Sequence, residues 1–245
     1  MIDISAVSYT NTIPFIYGLQ HHDIIKEINL SLDIPSVCAQ KLKANQVDIG
    51  LIPVAAILDL EEAHIISDYC IGANGAVDSV FIFSNCPIEE IKYLALDPES
   101  RSSNQLALVL LKNHWKINPE LVYDSNTYGL NAFPKSAFVQ IGDRTFGQKN
   151  KHPYAYDLAA EWRNFTGLEF VFAAWVSNKI LSDDFIAQFN DALKYGLSQR
   201  LKIASKLNKR QDFDIADYLI NKIDYQLTES KKEALIQFQR YITIL

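Results

Sequence analysis

Small polar residues follow the first predicted strand of this sequence at the point where that strand ends. The apolar segment Ile2–Val7 is typical of a strand, and it runs directly into Ser8-Tyr9-Thr10-Asn11-Thr12, with Pro14 shortly after. Proline suits the first turn of a helix, and hydroxyl, amide and free backbone N–H groups at a helix start can bind an anion. Helix capping by Asn11 or Thr12 explains the same residues and is the commoner situation at such a turn.

A second polar segment follows the predicted strand Tyr93–Asp97, where a helix over Ser102–Trp115 is expected to begin. Its polar residues are Ser100, Arg101, Ser102 and Ser103. A helix start offers free N–H groups and the positive end of the helix dipole, and a guanidinium matches a carboxylate in shape and charge. The segment could therefore bind a carboxylate. A capping serine beside an Arg101–Glu99 ion pair is an equally good explanation.

Two further residues lie at predicted strand ends. Ser79 begins a strand shortly after Gly75 and can face a cleft, although a tight turn is the simpler explanation. Asp143 follows the strand that ends at Ile141, where an acid can face a ligand or order a turn. The five histidines lie outside all of these segments, so an obvious general base is missing.

Composition excludes several classes of protein. The chain has 245 residues, of which 49% are hydrophobic and 21% charged, as expected for a globular protein of one or two domains. Its net charge of −6 argues against nucleic-acid binding. Nucleotide-binding and zinc motifs are missing, the three cysteines form no C-x-x-C pair, and no apolar run is long enough to span a membrane. We expect no cofactor, no metal and no membrane partner, and the lack of a secretory signal predicts a cytoplasmic protein.

Strand and helix patterns alternate through the first half of the chain. A strand over Ile28–Ile34, a helix over Ser36–Ala44 and a strand over Asp48–Pro53 form a predicted βαβ unit. From Ser182 onward the pattern is nearly all helical. These patterns predict an α/β fold.

No flexible linker separates the predicted elements, so we expect two lobes that share strands. Chain crossovers are predicted near Ser84–Pro87 and Ala173–Ser177. One lobe would comprise residues 1–85 and 175–245, and the other residues 86–174. A cleft between two such lobes is a common ligand site.

Seven short motifs of this sequence occur in the order found in one known family. The matching residues are Val7, Ser8, Tyr9, Asn11, Thr12 and Pro14; Val47–Val54; Gly75, Val77, Ser79 and Val80; Asp97 and Ser100–Ser103; Ile141–Asp143; Tyr156–Leu158; and Thr166–Trp175. On these motifs the sequence resembles the chorismate dehydratases of the futalosine pathway of menaquinone biosynthesis. Thr10, Ser102 and Glu169 depart from the usual residues. None of these departures removes an expected ligand donor.

The resemblance implies a two-lobed fold like the type II periplasmic solute-binding proteins. It also implies elimination of water from chorismate, a dianion, to give 3-[(1-carboxyvinyl)oxy]benzoate without a cofactor. The residues expected to bind the substrate are Ser8, Tyr9, Asn11, Thr12, Ser79, Ser100, Arg101, Ser102 and Ser103. Asn11 and Ser79 are the expected catalytic residues, and Asp143 is either a base or a structural residue.

Three alternatives remain at this stage. The sister enzyme of the same pathway, which forms a dihydroxynaphthoate, would lack the V-S-Y-x-N-T pattern found at Val7–Thr12. A solute-binding protein without catalysis would be expected to carry an export signal. A ligand-sensing regulator would carry a DNA-binding helix pair or a basic stripe.

Overall fold

Two separate β-sheets organise the protein. The structure is a computed structural model that describes residues 1–122, 134–207 and 209–245. Across those residues the strands form one sheet of six and one of five, each mixing parallel and antiparallel pairs. Helices pack on both sheets, so the predicted α/β class is confirmed. Each sheet with its helices forms one lobe.

The first sheet has the strand order β11-β4-β10-β3-β1-β2. Its strands are β1 (Ile2–Val7), β2 (Ile28–Asp33), β3 (Ile49–Pro53), β4 (His64–Ala73), β10 (Phe170–Ser177) and β11 (Asp224–Gln226). β1 lies parallel to both β2 and β3, whereas β10 and β11 run antiparallel to their neighbours. The C-terminal ends of β1, β3 and β4 therefore lie at the same end of the sheet as the N-terminal ends of β10 and β11.

The second sheet has the strand order β7-β6-β8-β5-β9. Its strands are β5 (Val80–Ser84), β6 (Tyr93–Ala95), β7 (Glu120–Val122), β8 (Ser136–Ile141) and β9 (Tyr154–Asp157). β6 and β8 are parallel to each other, and β5 is antiparallel to β8. This arrangement brings the ends of β6 and β8 beside the start of β5. The predicted strand Leu121–Asp124 overlaps β7, and its last two residues lie outside the described residues.

Helices pack against both sheets and against one another. They are α1 (Ile13–Gln20), α2 (Pro35–Lys43), α3 (Ser102–Asn113), α4 (Leu158–Thr166), α5 (Asp183–Ser198), α6 (Arg200–Lys206), the short α7 (Ile215–Asp217) and α8 (Glu229–Thr243). α7 continues into a π-helical turn over Tyr218–Lys222. α1 and α5 approach so closely that a Cβ on Gly196 would lie 1.9 Å from the carbonyl oxygen of Pro14. That contact fixes the direction in which the polar turn before α1 points.

The chain passes between the sheets at places other than those predicted. It leaves the first sheet between Ala73 and Val80, so β5 belongs to the second sheet. It returns between β9 and Phe170, so all of β10 belongs to the first sheet. The predicted boundaries at residues 85 and 174 instead leave β5 with the first lobe and divide β10. Both strands are continuous apolar runs, and such a run carries no local signal for the sheet in which it will pair.

Two strands of the first sheet are not predicted from the sequence. β4 contains Ser67, Asp68 and Gly72, residue types that are uncommon in strands, yet it pairs with β10 on one side and β11 on the other. β11 interrupts the C-terminal part of the chain, which the sequence predicts to be nearly all helix. Tertiary pairing outweighs local propensity in both cases.

Candidate active site

A cavity of about 550 Å³, partly open to solvent, lies where the facing edges of the two sheets meet. Seven of the ten predicted site residues line the cavity: Tyr9, Asn11, Thr12, Ser79, Ser100, Ser102 and Ser103. Ser8, Arg101 and Asp143 do not. The tertiary structure thus brings together three segments that are far apart in sequence.

Neutral groups make up the cavity wall. Hydroxyl and amide side chains face apolar ones such as Ile71, Phe172 and Ile223. None of the described residues that line the cavity is Lys, Arg, His, Asp or Glu. Among the described residues, no group of three or more His, Cys, Asp or Glu side chains is arranged to hold a metal ion. Chemistry at this site would therefore depend on hydrogen bonds and on a helix dipole.

Asn11 and Thr12 lie in a 3-10 turn, Thr10–Thr12, that joins β1 to α1. Thr12 is the N-cap residue of α1, but its side chain makes no capping hydrogen bond. Thr12 Oγ1 instead donates to Asn11 Oδ1 at 3.2 Å. The simple capping explanation of these residues is therefore not what the structure shows. Thr12 holds the amide of Asn11 in the cavity.

Ser79 precedes β5 and is only 1% exposed. Tyr218 Oη donates a hydrogen bond of 3.0 Å to Ser79 Oγ. Burial raises the pKa of Tyr218 well above its ordinary value, so this phenol remains a neutral hydrogen-bond donor. Ser79 is thus a buried hydroxyl with a fixed partner.

The serines at the start of α3 are divided between capping and contact with the other lobe. Ser100 Oγ accepts from the backbone N–H of Ser103 at 3.1 Å. Ser102 Oγ accepts from the backbone N–H of Ala55, which belongs to the first lobe, at 3.1 Å. The serines therefore hold the first turn of α3 against the cavity, where the positive end of the helix dipole favours an anion.

Arg101 lies outside the cavity and contacts the other lobe. Its Nη1 is 2.5 Å from Asp59 Oδ2, and its side chain is half exposed. The alternative ion pair between Arg101 and Glu99 is not present in the structure. Arg144 takes that place, with its Nη2 3.3 Å from Glu99 Oε2 and 2.7 Å from Asp97 Oδ2.

Tyr9 extends from the first lobe to this acidic cluster, and its hydroxyl donates to Glu99 Oε2. Burial raises the pKa of the Tyr9 phenol, and the hydrogen bond to Glu99 raises it further. The ring packs on Gly142, where a Cβ would lie 2.8 Å from Tyr9 Cε2. Gly142 also has a φ of +65°, which suits glycine. The position of the Tyr9 ring thus depends on the glycine of the Ile141–Asp143 motif.

Asp143 faces the turn before α1 and not the cavity. Its carboxylate accepts hydrogen bonds from the backbone N–H of Thr10 at 3.1 Å and from Thr10 Oγ1 at 2.8 Å. Burial raises the pKa of Asp143 despite these hydrogen bonds. The geometry therefore shows a residue that connects the two lobes.

Several contributors to the site are absent from the sequence-based prediction, among them Ile71, Tyr218 and Tyr225. Ile71 lies on the unpredicted strand β4, and Tyr218 and Tyr225 belong to the C-terminal part of the chain. Tyr225 Oη donates to the backbone oxygen of Asn11 at 2.9 Å. No local pattern around these residues indicates contact with a cavity, because their partners lie far away in sequence.

Sequence comparison assigns the chain to a family. A sequence profile described as menaquinone biosynthesis matches residues 2–243. This chain belongs to the menaquinone biosynthesis family. It is also similar to the chorismate dehydratase of Campylobacter jejuni, with 26% identity over 242 residues that cover 95% of this chain and 93% of that protein. The family resemblance predicted from the seven motifs is confirmed.

Solved structures of similar shape confirm the two-lobed fold. A crystal structure of an Archaeoglobus fulgidus protein has a TM-score of 0.78 and 14% identity, covering 99% of this chain and 97% of that one. An ABC transporter protein from Parabacteroides distasonis has a TM-score of 0.68 and 17% identity, covering 100% and 92%. The periplasmic aliphatic sulphonate-binding protein of Escherichia coli has a TM-score of 0.60 and 15% identity, covering 99% and 90%. At these identities the likeness shows the fold alone, which is that of the periplasmic binding proteins.

No helix in the described parts of this family member is both long and apolar enough to cross a bilayer.

Proposed function

We propose that this chain is a chorismate dehydratase, which eliminates water from chorismate to give 3-[(1-carboxyvinyl)oxy]benzoate. The observation that carries the proposal is the cavity between the lobes, where neutral donors from the motifs at Val7–Pro14, Gly75–Val80 and Asp97–Ser103 converge. The family membership and the Campylobacter jejuni relative support the same assignment.

The reaction needs charge stabilisation more than it needs a strong base. Removal of the proton at C3 gives an anion that is conjugated through a ring double bond into the ring carboxylate. Loss of the C4 hydroxyl as water then completes an aromatic ring. Donors that are already in place around the developing charge lower the barrier without reorganisation. The serines and the N-terminus of α3 would serve the ring carboxylate in this way.

The missing histidine base is explained if the substrate supplies the proton acceptor. The enolpyruvyl carboxylate of chorismate is attached at C3 through its ether oxygen and can reach the C3 proton. Asn11 and Ser79 would then hold that carboxylate in a productive pose. The neutral cavity wall is consistent with this role, since none of the described residues of the wall carries a carboxylate or an imidazole that would compete as an acceptor.

The protein should be incubated with chorismate, and the products should be separated and identified by mass spectrometry. We expect chorismate to be replaced by 3-[(1-carboxyvinyl)oxy]benzoate, and a sample without protein controls for spontaneous decay of chorismate. Binding of chorismate without any product would indicate a solute-binding protein. No binding and no product would refute the proposal and favour the sister enzyme of the pathway.

A further inference from the structure

Two tyrosines from the C-terminal part of the chain contact the polar residues of the cavity. Tyr218 Oη donates to Ser79 Oγ at 3.0 Å. Tyr225 Oη donates to the backbone oxygen of Asn11 at 2.9 Å. Neither tyrosine lines the cavity. Any effect of these phenols on a ligand must therefore pass through Asn11 or Ser79.

We propose that Tyr218 is a positioning residue that makes Ser79 donate its hydroxyl hydrogen into the cavity. A hydroxyl carries one hydrogen and two lone pairs. Because Ser79 Oγ accepts from Tyr218, its own hydrogen stays available, and the described residues offer the Ser79 hydroxyl no other partner. Tyr225 in turn holds the backbone of Asn11 through its hydroxyl. This inference rests on the proposed function, because the acceptor in the cavity is a carboxylate of chorismate.

The ring of Tyr218 is held firmly enough to orient its neighbours. The side chain is 1% exposed, and its ring contacts Phe146 and Phe213 with centroid distances of 5.1 and 5.4 Å. Tyr218 begins the π-helical turn that ends at Lys222. Such turns are rare and occur frequently at functional sites. A rigid donor fixes the direction of the hydrogen bond, whereas a mobile one would leave Ser79 free to rotate.

Tyr225 is anchored through the edge strand β11. Its ring packs edge-on against Phe15 at 5.3 Å, and the guanidinium of Arg200 lies 5.6 Å from its centroid. The fully buried Lys231 secures the strand, with its Nζ 2.6 Å from the backbone oxygen of Gln226 and 2.7 Å from Asp224 Oδ1. The C-terminal part of the chain thus completes the site that the N-terminal motifs begin.

Steady-state kinetics of Tyr218→Phe with chorismate test this inference. Phenylalanine keeps the ring and removes the donor, so we expect kcat to fall about 10- to 100-fold with little change in KM, as for a donor that acts in the transition state. Tyr218→Phe combined with Ser79→Ala should be no more than about threefold slower than Ser79→Ala alone, because the two residues act as one unit. Tyr225→Phe should also lower kcat, and it tests the support of Asn11 if Tyr218→Phe fails to fold.

Tyr156→Phe is the matched control. The Tyr156 hydroxyl accepts a hydrogen bond of 2.9 Å from the backbone N–H of Ile88, outside the cavity, so its loss should leave kcat within about twofold of wild type. Either of two results overturns the positioning role and leaves the proposed function standing. One is a loss of kcat in Tyr218→Phe that is no larger than the loss in Tyr156→Phe. The other is a double variant in which the loss of kcat from Tyr218→Phe multiplies in full with the loss from Ser79→Ala. A folded wild-type protein that leaves chorismate unchanged overturns the proposed function and this inference with it.

Discussion

Asp143 holds Thr10 from the opposite lobe, accepting hydrogen bonds from its backbone N–H at 3.1 Å and from its hydroxyl at 2.8 Å. Thr10 immediately precedes Asn11, so this pair determines where the 3-10 turn meets the cavity. A carboxylate that is already shared with two donors, and that does not line the cavity, is poorly placed to take a proton from the substrate.

Asp143→Asn should therefore keep measurable turnover. The amide oxygen can still accept from Thr10, although an amide cannot act as a proton acceptor at neutral pH. Single-turnover assays with saturating chorismate give the chemical rate directly. Thr10→Val, which loses the hydroxyl donor, should show a loss of similar size if the pair only orders the turn. Abolished chemistry with intact binding in Asp143→Asn would identify Asp143 as the base and exclude the substrate carboxylate.

Ser79→Ala and Asn11→Ala should each reduce kcat by about 10²–10³, the effect of removing one donor to a developing oxyanion. Both residues line the cavity, and neither substitution removes a large apolar side chain from the core. The folded state of each variant should be checked by circular dichroism before the kinetics. Near-normal kcat in both variants would exclude the pose proposed for the enolpyruvyl carboxylate.

Arg101→Ala should lower kcat/KM for chorismate by about 10- to 100-fold. The cavity wall has no cation among its described residues, and Arg101 lies between two serines that line the cavity. A dianionic substrate should therefore attract the guanidinium away from Asp59. Desolvated charge pairs are worth several kcal/mol, whereas exposed pairs such as Arg101–Asp59 are worth about 0–1 kcal/mol.

Asp59→Asn is the control for Arg101, since it removes the ion pair and leaves the guanidinium. We expect nearly unchanged kcat/KM in this variant. Equal losses in Arg101→Ala and Asp59→Asn would mean that the pair acts only as a contact between the lobes.

Gly142→Ala should lower both stability and activity, because the added Cβ would lie 2.8 Å from the ring of Tyr9. Gly167→Ala is a closely matched control. Its φ of +74° resembles the +65° of Gly142, but nothing lies within 4 Å of an added Cβ. Each alanine carries the backbone cost of a left-handed conformation, about 1–2 kcal/mol, so the difference between the variants measures the clash with Tyr9. Equal thermal stability and equal kcat/KM would show that Tyr9 moves aside freely.

Asp78→Asn should destabilise the protein at neutral pH and not at acid pH. Burial alone would raise the pKa of Asp78, but Lys222 and Lys149, each with Nζ 3.0 Å from the carboxylate, outweigh burial and lower it. A carboxyl whose pKa is lower in the fold stabilises the fold when ionised. That contribution is complete above the ordinary pKa of 3.8 and is lost as the pH falls through the lower folded value.

The free energy of unfolding of Asp78→Asn should therefore lie about 1 kcal/mol below wild type at pH 7, a small value because both lysines are partly exposed. Asparagine tolerates the φ of +56° at this position. Urea denaturation from pH 7 to pH 3 measures the effect. The free energies of unfolding of wild type and Asp78→Asn should converge below about pH 4, near the ordinary pKa of a carboxyl. If they do not, the destabilisation comes from packing and not from the charge of Asp78.

Local sequence patterns were sufficient for much of the chain. β1, β3 and α3 lie within two residues of their predicted bounds, because periodicity and capping residues are properties of contiguous segments. The polar segments at Tyr9–Thr12 and Ser100–Ser103 were recognisable as site candidates for the same reason. Each follows an apolar strand and precedes a helix.

The tertiary structure alone decided which of these residues meet and what they contact. It placed β5 in the second sheet, paired Arg101 with Asp59 and turned Asp143 toward Thr10. It also brought Tyr218 to Ser79 across 139 positions of sequence and Tyr225 to Asn11 across 214. Strand pairing and contacts of this kind depend on how distant segments pack. A local window of sequence contains no information on the partner, and so the support of the site from the C-terminal part of the chain could be found only in three dimensions.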